Sequence, residues 1–218
     1  MRILHIRKSL LSALVIVGVL CAQAEPVVLK AKPGSKVQID GTSTVHDWTV
    51  EGKLVGGSVT VGEGFPVDAS ASVKPGKLEA TVNAFIPITS LKSVKNGKPY
   101  SEKMDEIMHE KLGKPDHKMI FYTLDELTLT ALPEAPGEPL VCTAQGHLVV
   151  AGVTNAVELP LEITPLDDGK VKFATRTSVK MTDYSIEPPA PKIALGMIKT
   201  GDEVQISVEW MTARVQPK

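Results

Sequence analysis

Apolar and polar residues alternate strictly in several stretches of the chain, a period typical of strands with one buried face. The clearest alternation covers residues 45–54, 78–86, 157–163, 171–181 and 204–210. Less regular patterns mark further strand candidates at residues 35–41, 57–61, 118–130 and 140–151. Turns that contain glycine or proline separate these stretches. The pattern therefore predicts eight or more strands.

One internal segment has the period of a helix instead. From Tyr100 to Leu112 the apolar residues stand three or four apart, and Ser101 can cap the first turn. The apolar stripe consists of Met104, Ile107, Met108 and Leu112. The preceding residues, 90–99, read as a polar loop. We expect the whole insertion 90–117 to form a lid or rim on the fold, outside its wall.

The order of these elements restricts the fold class. No helices alternate with the strands, so a parallel α/β sheet is not expected. A meandering antiparallel sheet must close on itself or fold into a sandwich to bury its apolar face. The sequence pattern therefore predicts a single all-β domain with one short inserted helix, either a closed barrel or a sandwich. An eight-stranded barrel has an interior just wide enough for one small ligand.

The first 24 residues have the three parts of a secretory signal peptide. Basic residues precede an apolar run at Leu10–Leu20, and Ala22-Gln23-Ala24 forms a cleavage site. We expect cleavage after Ala24, which leaves residues 25–218 as one exported domain, periplasmic or secreted. The alternative is an uncleaved N-terminal anchor. Lipidation of Cys21 is not expected, because the bulky Leu20 precedes it.

Composition and charge exclude several classes of protein. The 24 basic and 25 acidic residues give a net charge of −1, so the basic stripe of a nucleic-acid-binding protein is absent. Aromatic residues make up only 4% of the chain, which argues against base-stacking platforms. Removal of Cys21 would leave Cys142 without an intrachain disulfide partner. Its apolar surroundings indicate a buried side chain, and a reactive thiol is the alternative.

Candidate catalytic and metal-binding residues do not form a recognisable motif. His109, Asp116 and His117 match no closed tetrahedral zinc spacing, so exposed histidines are expected there. Asp105 is expected on a solvated face, and His147 has no acidic neighbour in the sequence. Common hydrolase, metalloprotease and nucleotide-binding signatures are missing. We therefore predict no enzyme activity, no metal and no cofactor.

Two segments carry a resemblance to a known family. Residues 37–52, VQIDGTSTVHDWTVEG, place an Ile-Asp pair before a serine-containing turn and an alternating strand. Residues 146–163, GHLVVAGVTNAVELPLEI, join two strands through Gly-Val-Thr and a small turn. Together with residues 118–121 and 201–206, they resemble the YceI-like family. One departure is Met181–Ser185, which lacks the arginine and glycine that many members carry before the last strand.

The resemblance implies an exported, lipocalin-like fold: a single antiparallel barrel of approximately eight strands with one short inserted helix. It also implies that the barrel binds a long-chain isoprenoid or other lipid-like molecule in its lumen. It brings no catalytic residues. The rows of apolar residues on the predicted strands then become candidates to line the lumen. These candidates are His46, Trp48, Val50, Leu54, Val82, Ile86, Leu159, Leu161, Phe173, Val179, Val208 and Trp210.

The alternation itself does not distinguish a lumen from a filled core, because both require the same inward-facing side chains. His46 and Trp48 are therefore either a polar handle and an aromatic wall of a ligand site or ordinary core residues. Thr175 and Thr177, on the same face as Phe173, indicate either a wet cavity or local hydrogen bonds.

Three functions follow from these alternatives. The first is a lipid or isoprenoid carrier, used for transport, sequestration or a stress response. The second is a non-enzymatic interaction module with a filled core, which binds an unidentified protein partner through residues 90–117. The third is a hydrolase, which would need a nucleophile, a histidine and a carboxylate within hydrogen-bonding reach. A cavity of ligand size would separate the first function from the second.

Overall fold

The computed structural model describes residues 25–68, 71–113, 115–135, 137–190 and 198–215. The expected signal peptide, residues 1–24, lies outside these ranges, so its cleavage stays a prediction. Within them, the strands are β1 (Val27–Ala31), β2 (Lys36–Ser43), β3 (Trp48–Gly52), β4 (Gly56–Val61), β5 (Gly76–Leu78), β6 (Ala80–Pro87), β7 (Lys92–Lys95), β8 (Lys98–Pro99), β9 (Met119–Ala131), β10 (Leu140–Val150), β11 (Val153–Pro165), β12 (Lys170–Lys180) and β13 (Thr200–Arg214). The helix α1 is Glu102–Lys111. No helix in the described ranges is both long and apolar enough to cross a membrane.

The strands close into an eight-stranded antiparallel barrel, as the family resemblance implies. Several short strands follow one another along the same neighbour and act as one bent strand. β1 and β2 both pair with β13, through Leu29–Arg214 and Val37–Val208. β3 and β4 pair in turn with β2 and β1. Around the ring the order is β1/β2, β3/β4, β5/β6/β7, β9, β10, β11, β12 and β13.

Buried apolar side chains fill the end of the barrel at which β1 pairs with β13. Leu29, Ile163 and Val171 have no exposed surface, and Leu129 and Cys142 are 1% exposed. Each comes from a different strand, and each alternates with outward-facing neighbours, as the period of two requires. This packed half of the barrel anchors the strands.

Residues 90–99 are not the polar loop that the sequence indicates. β7 pairs with β3, with Ser93 opposite Val50, and a tight turn joins β7 to β8. Asn96 and Gly97 occupy this turn with φ of 52° and 71°, the conformation that Asn-Gly hairpin turns adopt. The expectation that the whole insertion lies outside the wall is therefore wrong for β7. β7 has only four residues, and its lysines obscure the alternation of apolar and polar positions in the sequence. Lysines are common on edge strands.

Helix α1 follows this hairpin and is anchored to it by two buried polar side chains. Ser101 caps the helix by accepting the backbone N–H of Met104 at 3.2 Å. Asp105 Oδ1 accepts the backbone N–H of Ser93 at 2.6 Å. His109 Nε2 lies 2.9 Å from the carbonyl oxygen of Leu91, to which it donates.

Asp105 and His109 are only 8% and 7% exposed, so the prediction that they face solvent is wrong. The reason is the edge of the sheet. β7 presents backbone groups on its free side, and buried backbone groups require partners. The two side chains stand four residues apart on one helix face and reach two of these groups together.

The barrel wall is incomplete between β11 and β12. These strands pair only from Leu161–Pro165 to Val171–Thr175, although both continue further. Pro160, the next residue, has no N–H to extend the ladder. The side chains of Tyr184 and Ile186, in and just after the turn Met181–Tyr184, are buried next to this gap.

Because Cys142 lies in the packed half of the barrel, we expect its thiol to react slowly. Burial raises the pKa of its thiol to about 11. Since the thiolate is the reacting form, a rise of about two units leaves about 100-fold fewer reactive groups at pH 8 than in the unfolded chain. We expect the folded protein of residues 25–218 to react with Ellman's reagent at least 100 times more slowly than the protein in guanidinium chloride.

A cysteine on the outer face provides the control for this measurement. Ser178 is exposed on β12, and a Ser178→Cys, Cys142→Ala variant should react rapidly in the folded state. Fast modification of native Cys142 would show that its thiol is accessible and not part of the core.

Candidate functional site

The other half of the barrel encloses a cavity of about 510 Å³. On β4 and on β9 to β13, the interior changes from packed to open between one inward-facing residue and the next. On each strand one residue lines the cavity, and the next inward residue is buried in the core. These pairs are Val59 and Val61, Leu127 and Leu129, Ala144 and Cys142, Leu161 and Ile163, Phe173 and Val171, and Trp210 and Thr212.

Three aromatic rings form the inner end of the cavity, here called the aromatic floor: Phe65, Phe173 and Trp210. The ring centroids of Phe65 and Phe173 are 6.4 Å apart, and those of Phe173 and Trp210 are 5.8 Å apart. Phe173 and Trp210 lie opposite each other on β12 and β13. Phe65 belongs to the loop after β4 and is 4% exposed. A loop residue thus completes a floor begun by two strands.

Helix α1 covers part of the opposite end. The predicted apolar stripe of Met104, Ile107, Met108 and Leu112 lines the cavity. Lys111 Nζ lies 3.5 Å from Glu187 Oε2, in the segment after β12. The helix is therefore held firmly on the β7 side by Asp105 and His109 and joined to the other side by one exposed ion pair. This is the position of a lid.

A small polar cluster stands at the mouth of the cavity. His46 Nδ1 lies 2.8 Å from the carbonyl oxygen of Asp47, and its Nε2 lies 3.4 Å from the hydroxyl of Tyr100. Lys95 Nζ is 5.2 Å from the centroid of the Tyr100 ring, within the range of a cation–π contact. His46 is exposed, so it is a rim residue and not the core histidine that the sequence left as an alternative.

Trp48 contributes the aromatic wall beside this mouth. Its Nε1 donates a hydrogen bond to the carbonyl oxygen of Thr42 at 3.1 Å. Its ring lies against Gly41, where any side chain would overlap the ring. The glycine on β2 therefore allows the indole to lie flat across the neighbouring strand and to line the cavity.

The lining is almost entirely without charge. The two charged side chains among the described lining residues are Lys103 and Lys111, both from α1. Lys103 Nζ is paired with Glu106 Oε2 at 2.9 Å. Among the polar residues of the wall, Thr175 donates a hydrogen bond to the carbonyl oxygen of Pro160 at 2.6 Å, which is the local bonding that the sequence left open. The interior therefore favours an apolar occupant.

Tyr122 also faces inward from β9, but its hydroxyl is covered by protein and has no hydrogen-bond partner in the described residues. Burial, assisted by the nearby charge of Asp125, raises the pKa of Tyr122 to about 12. The group stays neutral at physiological pH and adds no charge to the cavity.

The structure places eleven of the twelve predicted residues in the lining of this cavity. They are His46, Trp48, Val50, Val82, Ile86, Leu159, Leu161, Phe173, Val179, Val208 and Trp210. Leu54 is the exception: it is 58% exposed, and its assignment to the lumen is wrong. β3 ends at Gly52, so the alternation no longer sets the direction of a residue in the connection to β4. Contact of the eleven residues with a ligand stays a prediction.

Several lining residues were not predicted as part of a site. Phe65, Tyr184 and Ile186 come from loops and turns, where no period indicates a direction. The helix stripe was recognised, but the sequence did not show that it faces the same space as the strands.

The described residues contain no group of three or more histidine, cysteine, aspartate or glutamate side chains that could hold a metal. His147 does have an acidic partner, contrary to expectation: its Nδ1 lies 2.9 Å from Asp125 Oδ2. Pairing of β9 with β10 brings these residues together across the sheet. Within the described part of the chain, no serine or cysteine is hydrogen-bonded to this histidine, so the pair lacks the nucleophile of a hydrolase.

Comparisons with known proteins agree with this architecture. Residues 31–211 match the model of the YceI-like domain. A polyisoprenoid binding domain from Saccharophagus degradans is 13% identical, with a TM-score of 0.62 over 88% of this chain and 100% of that chain. BcnA from Burkholderia cenocepacia is 15% identical, with a TM-score of 0.55 over 81% of this chain and 95% of that chain. None of the curated proteins matches the sequence. Since the family model spans most of the chain and the barrel has the same fold as these structures, this chain belongs to the YceI-like domain family.

Proposed function

We propose that this chain is an exported binding protein that holds a long-chain isoprenoid or other lipid-like molecule in its barrel, as a carrier or a sequestering protein. The observation that carries the proposal is the cavity of about 510 Å³, partly covered by α1, with a lining of aliphatic and aromatic side chains. Its volume lies within the usual range of ligand pockets. The Saccharophagus degradans domain, described as polyisoprenoid binding, supports the class of ligand.

The energetics favour a long chain. Each buried methylene contributes about 0.8 kcal/mol, so fifteen buried carbons contribute about 12 kcal/mol. Association costs several kcal/mol in lost translation, rotation and side-chain freedom. A short apolar molecule would not offset these costs. The lining is largely aliphatic, which suits a flexible chain better than a flat ring system.

A charged head group would remain at the mouth. The wall strands offer it no counter-ion, and the two lining lysines of α1 are already paired with Glu106 and Glu187. Burial of an unpaired charge is very unfavourable. The rim provides polar partners in His46, Tyr100 and Lys95, with Lys98 on the same hairpin. These residues are the proposed contacts for an anionic head.

The cavity argues against the alternative of a barrel whose core is filled throughout, because only one half of the interior is packed. The proposed role is binding without catalysis. Its partner is a lipid-like small molecule, and neither nucleic acid nor a cofactor has a place in it.

If the chain is exported, cleavage of the signal peptide should give the mature protein a defined N-terminus. When the full chain is produced in a Gram-negative host, the protein in the periplasmic fraction should begin at Glu25. Intact-mass measurement and N-terminal sequencing would show this directly. A mature protein that begins at Met1, or one with a lipid on Cys21, would contradict the proposal of a soluble exported carrier.

Substitution of Leu161 tests the site of binding. Leu161 points into the cavity from β11, so Leu161→Trp should fill part of the space and weaken binding of the C15 alcohol farnesol by at least about tenfold. The matched control is Glu162→Trp, which places the same ring at the next, exposed position. Fluorescence titration and mass spectrometry of co-purified lipid would measure the effect. Unchanged binding by a folded Leu161→Trp variant would exclude the lumen as the site.

Substitution of the rim lysines tests head-group selection. Replacing Lys95 and Lys98 with alanine should weaken binding of farnesyl phosphate by about two- to tenfold at low salt, because exposed charges contribute modestly. The effect should shrink in 0.5 M salt. Farnesol, which lacks the charge, should bind as it does to the parent protein. An equal loss for both ligands would show that the hairpin acts on the fold and not on the head group.

A further inference from the structure

We propose that the cavity buries only about fifteen to twenty carbons of its chain, and that the aromatic floor of Phe65, Phe173 and Trp210 sets this limit. The inference rests on the proposed function and specifies its ligand further. It starts from the change between cavity and core, which occurs at one level on β4 and on β9 to β13. Such a level is the end of a compartment and not a local narrowing.

The volume of the compartment gives the first measure of the ligand. A water molecule takes about 30 Å³ of liquid volume, and a methylene group is of similar size. A cavity of about 510 Å³ therefore holds about seventeen such groups. This corresponds to a chain of three or four isoprene units, or to a common fatty acyl chain.

The depth of the compartment gives a second, independent measure. On β12 the lining runs from Val179 to Phe173, and on β13 from Val204 to Trp210. At about 3.3 Å per residue, six residues span about 20 Å along a strand. A strand tilt near 40° reduces this to about 15 Å along the barrel axis. An extended chain advances about 1.3 Å per carbon–carbon bond, so about twelve carbons reach from rim to floor.

The remaining carbons fit only if the chain bends, and a much longer chain must leave through the mouth. It cannot continue inward, because the interior beyond the floor is close-packed. Leu129, Ile163 and Val171 lie there with at most 1% of their surface exposed. Close-packed cores leave few voids larger than a water molecule. Carbons outside the protein gain little from burial, so affinity should stop rising once the compartment is full.

Phe65 is the floor residue best suited to a test. Phe173 and Trp210 lie within the ladder of β12 and β13, whereas Phe65 belongs to the loop after β4. Its truncation removes a ring from the end of the cavity without changing a strand. The space gained corresponds to three or four carbons, and each buried methylene changes affinity about fourfold.

The experiment measures the affinity of delipidated protein for prenyl alcohols of increasing length: C10, C15, C20, C25 and C40. For the parent protein, affinity should rise at least tenfold from C10 to C15 and change less than threefold between C20 and C40. Phe65→Ala should raise the ratio of C25 to C20 affinity by at least about tenfold, and Phe65→Leu should raise it less. Competition between lengths, read by mass spectrometry, reports the ratio directly.

Leu129→Ala is the matched control, because Leu129 is 1% exposed and lies beyond the floor, outside the lining. It should lower stability while the plateau stays at C20. A continued rise in parent affinity to C40, or an equal change in Leu129→Ala and Phe65→Ala, would overturn the floor as the limit and leave the proposed function intact. Failure of every alcohol to bind the parent would overturn the proposed function itself. If Phe65→Ala does not fold, the inference is still tested by two measurements: the chain length at which the affinity of the parent protein stops rising, and the same length for Phe65→Leu.

Discussion

The backbone hydrogen bonds of β13 are the interaction on which the rest of the structure depends. This strand pairs with β12 over its whole length on one side and with β1 and β2 on the other. It thereby joins the first strands of the chain to the last ones and removes the free edges of the main ring. Once the ring is closed, every second side chain must point into a space of fixed width. The direction of the lining residues is a consequence of this closure and not of their individual chemistry.

What fills that space differs between the two halves because the side chains differ in size. The packed half combines leucine, isoleucine and valine, and three aromatic rings close it. The open half includes small inward-facing residues on two strands that flank β9: Ala80 and Ala84 on β6, and Ala144 on β10. These leave volume that their neighbours do not reach. The helix α1 covers this volume from outside the strands, so the cavity is bounded without being filled.

The sequence predicted the strands and most of the lining because both follow from a period of two, and the family resemblance supplied the closed barrel. It failed where direction depends on tertiary contacts. Leu54 continues the alternation in the sequence, yet the strand ends before it. His109 belongs to a polar helix face, and only the free edge of β7 explains its burial. Phe65 stands in a loop without periodicity, although it closes the cavity. The boundary between core and lumen could not be predicted either, since residues on both sides of it follow the same pattern.

Because of the gap between β11 and β12, the barrel wall should not resist deformation equally on all sides. Along most of the ring, the cavity can widen only if several backbone hydrogen bonds between neighbouring strands break. Beyond Pro160 the two strands share no ladder, and the neighbouring chain is held by side-chain contacts such as the hydrogen bond from Asn155 Nδ2 to the carbonyl oxygen of Asp183, at 2.8 Å. Strain from a bulky occupant would therefore concentrate at this seam, while the closed ring beneath it keeps its shape. The barrel is therefore rigid at its packed end and more easily deformed along the gap between β11 and β12.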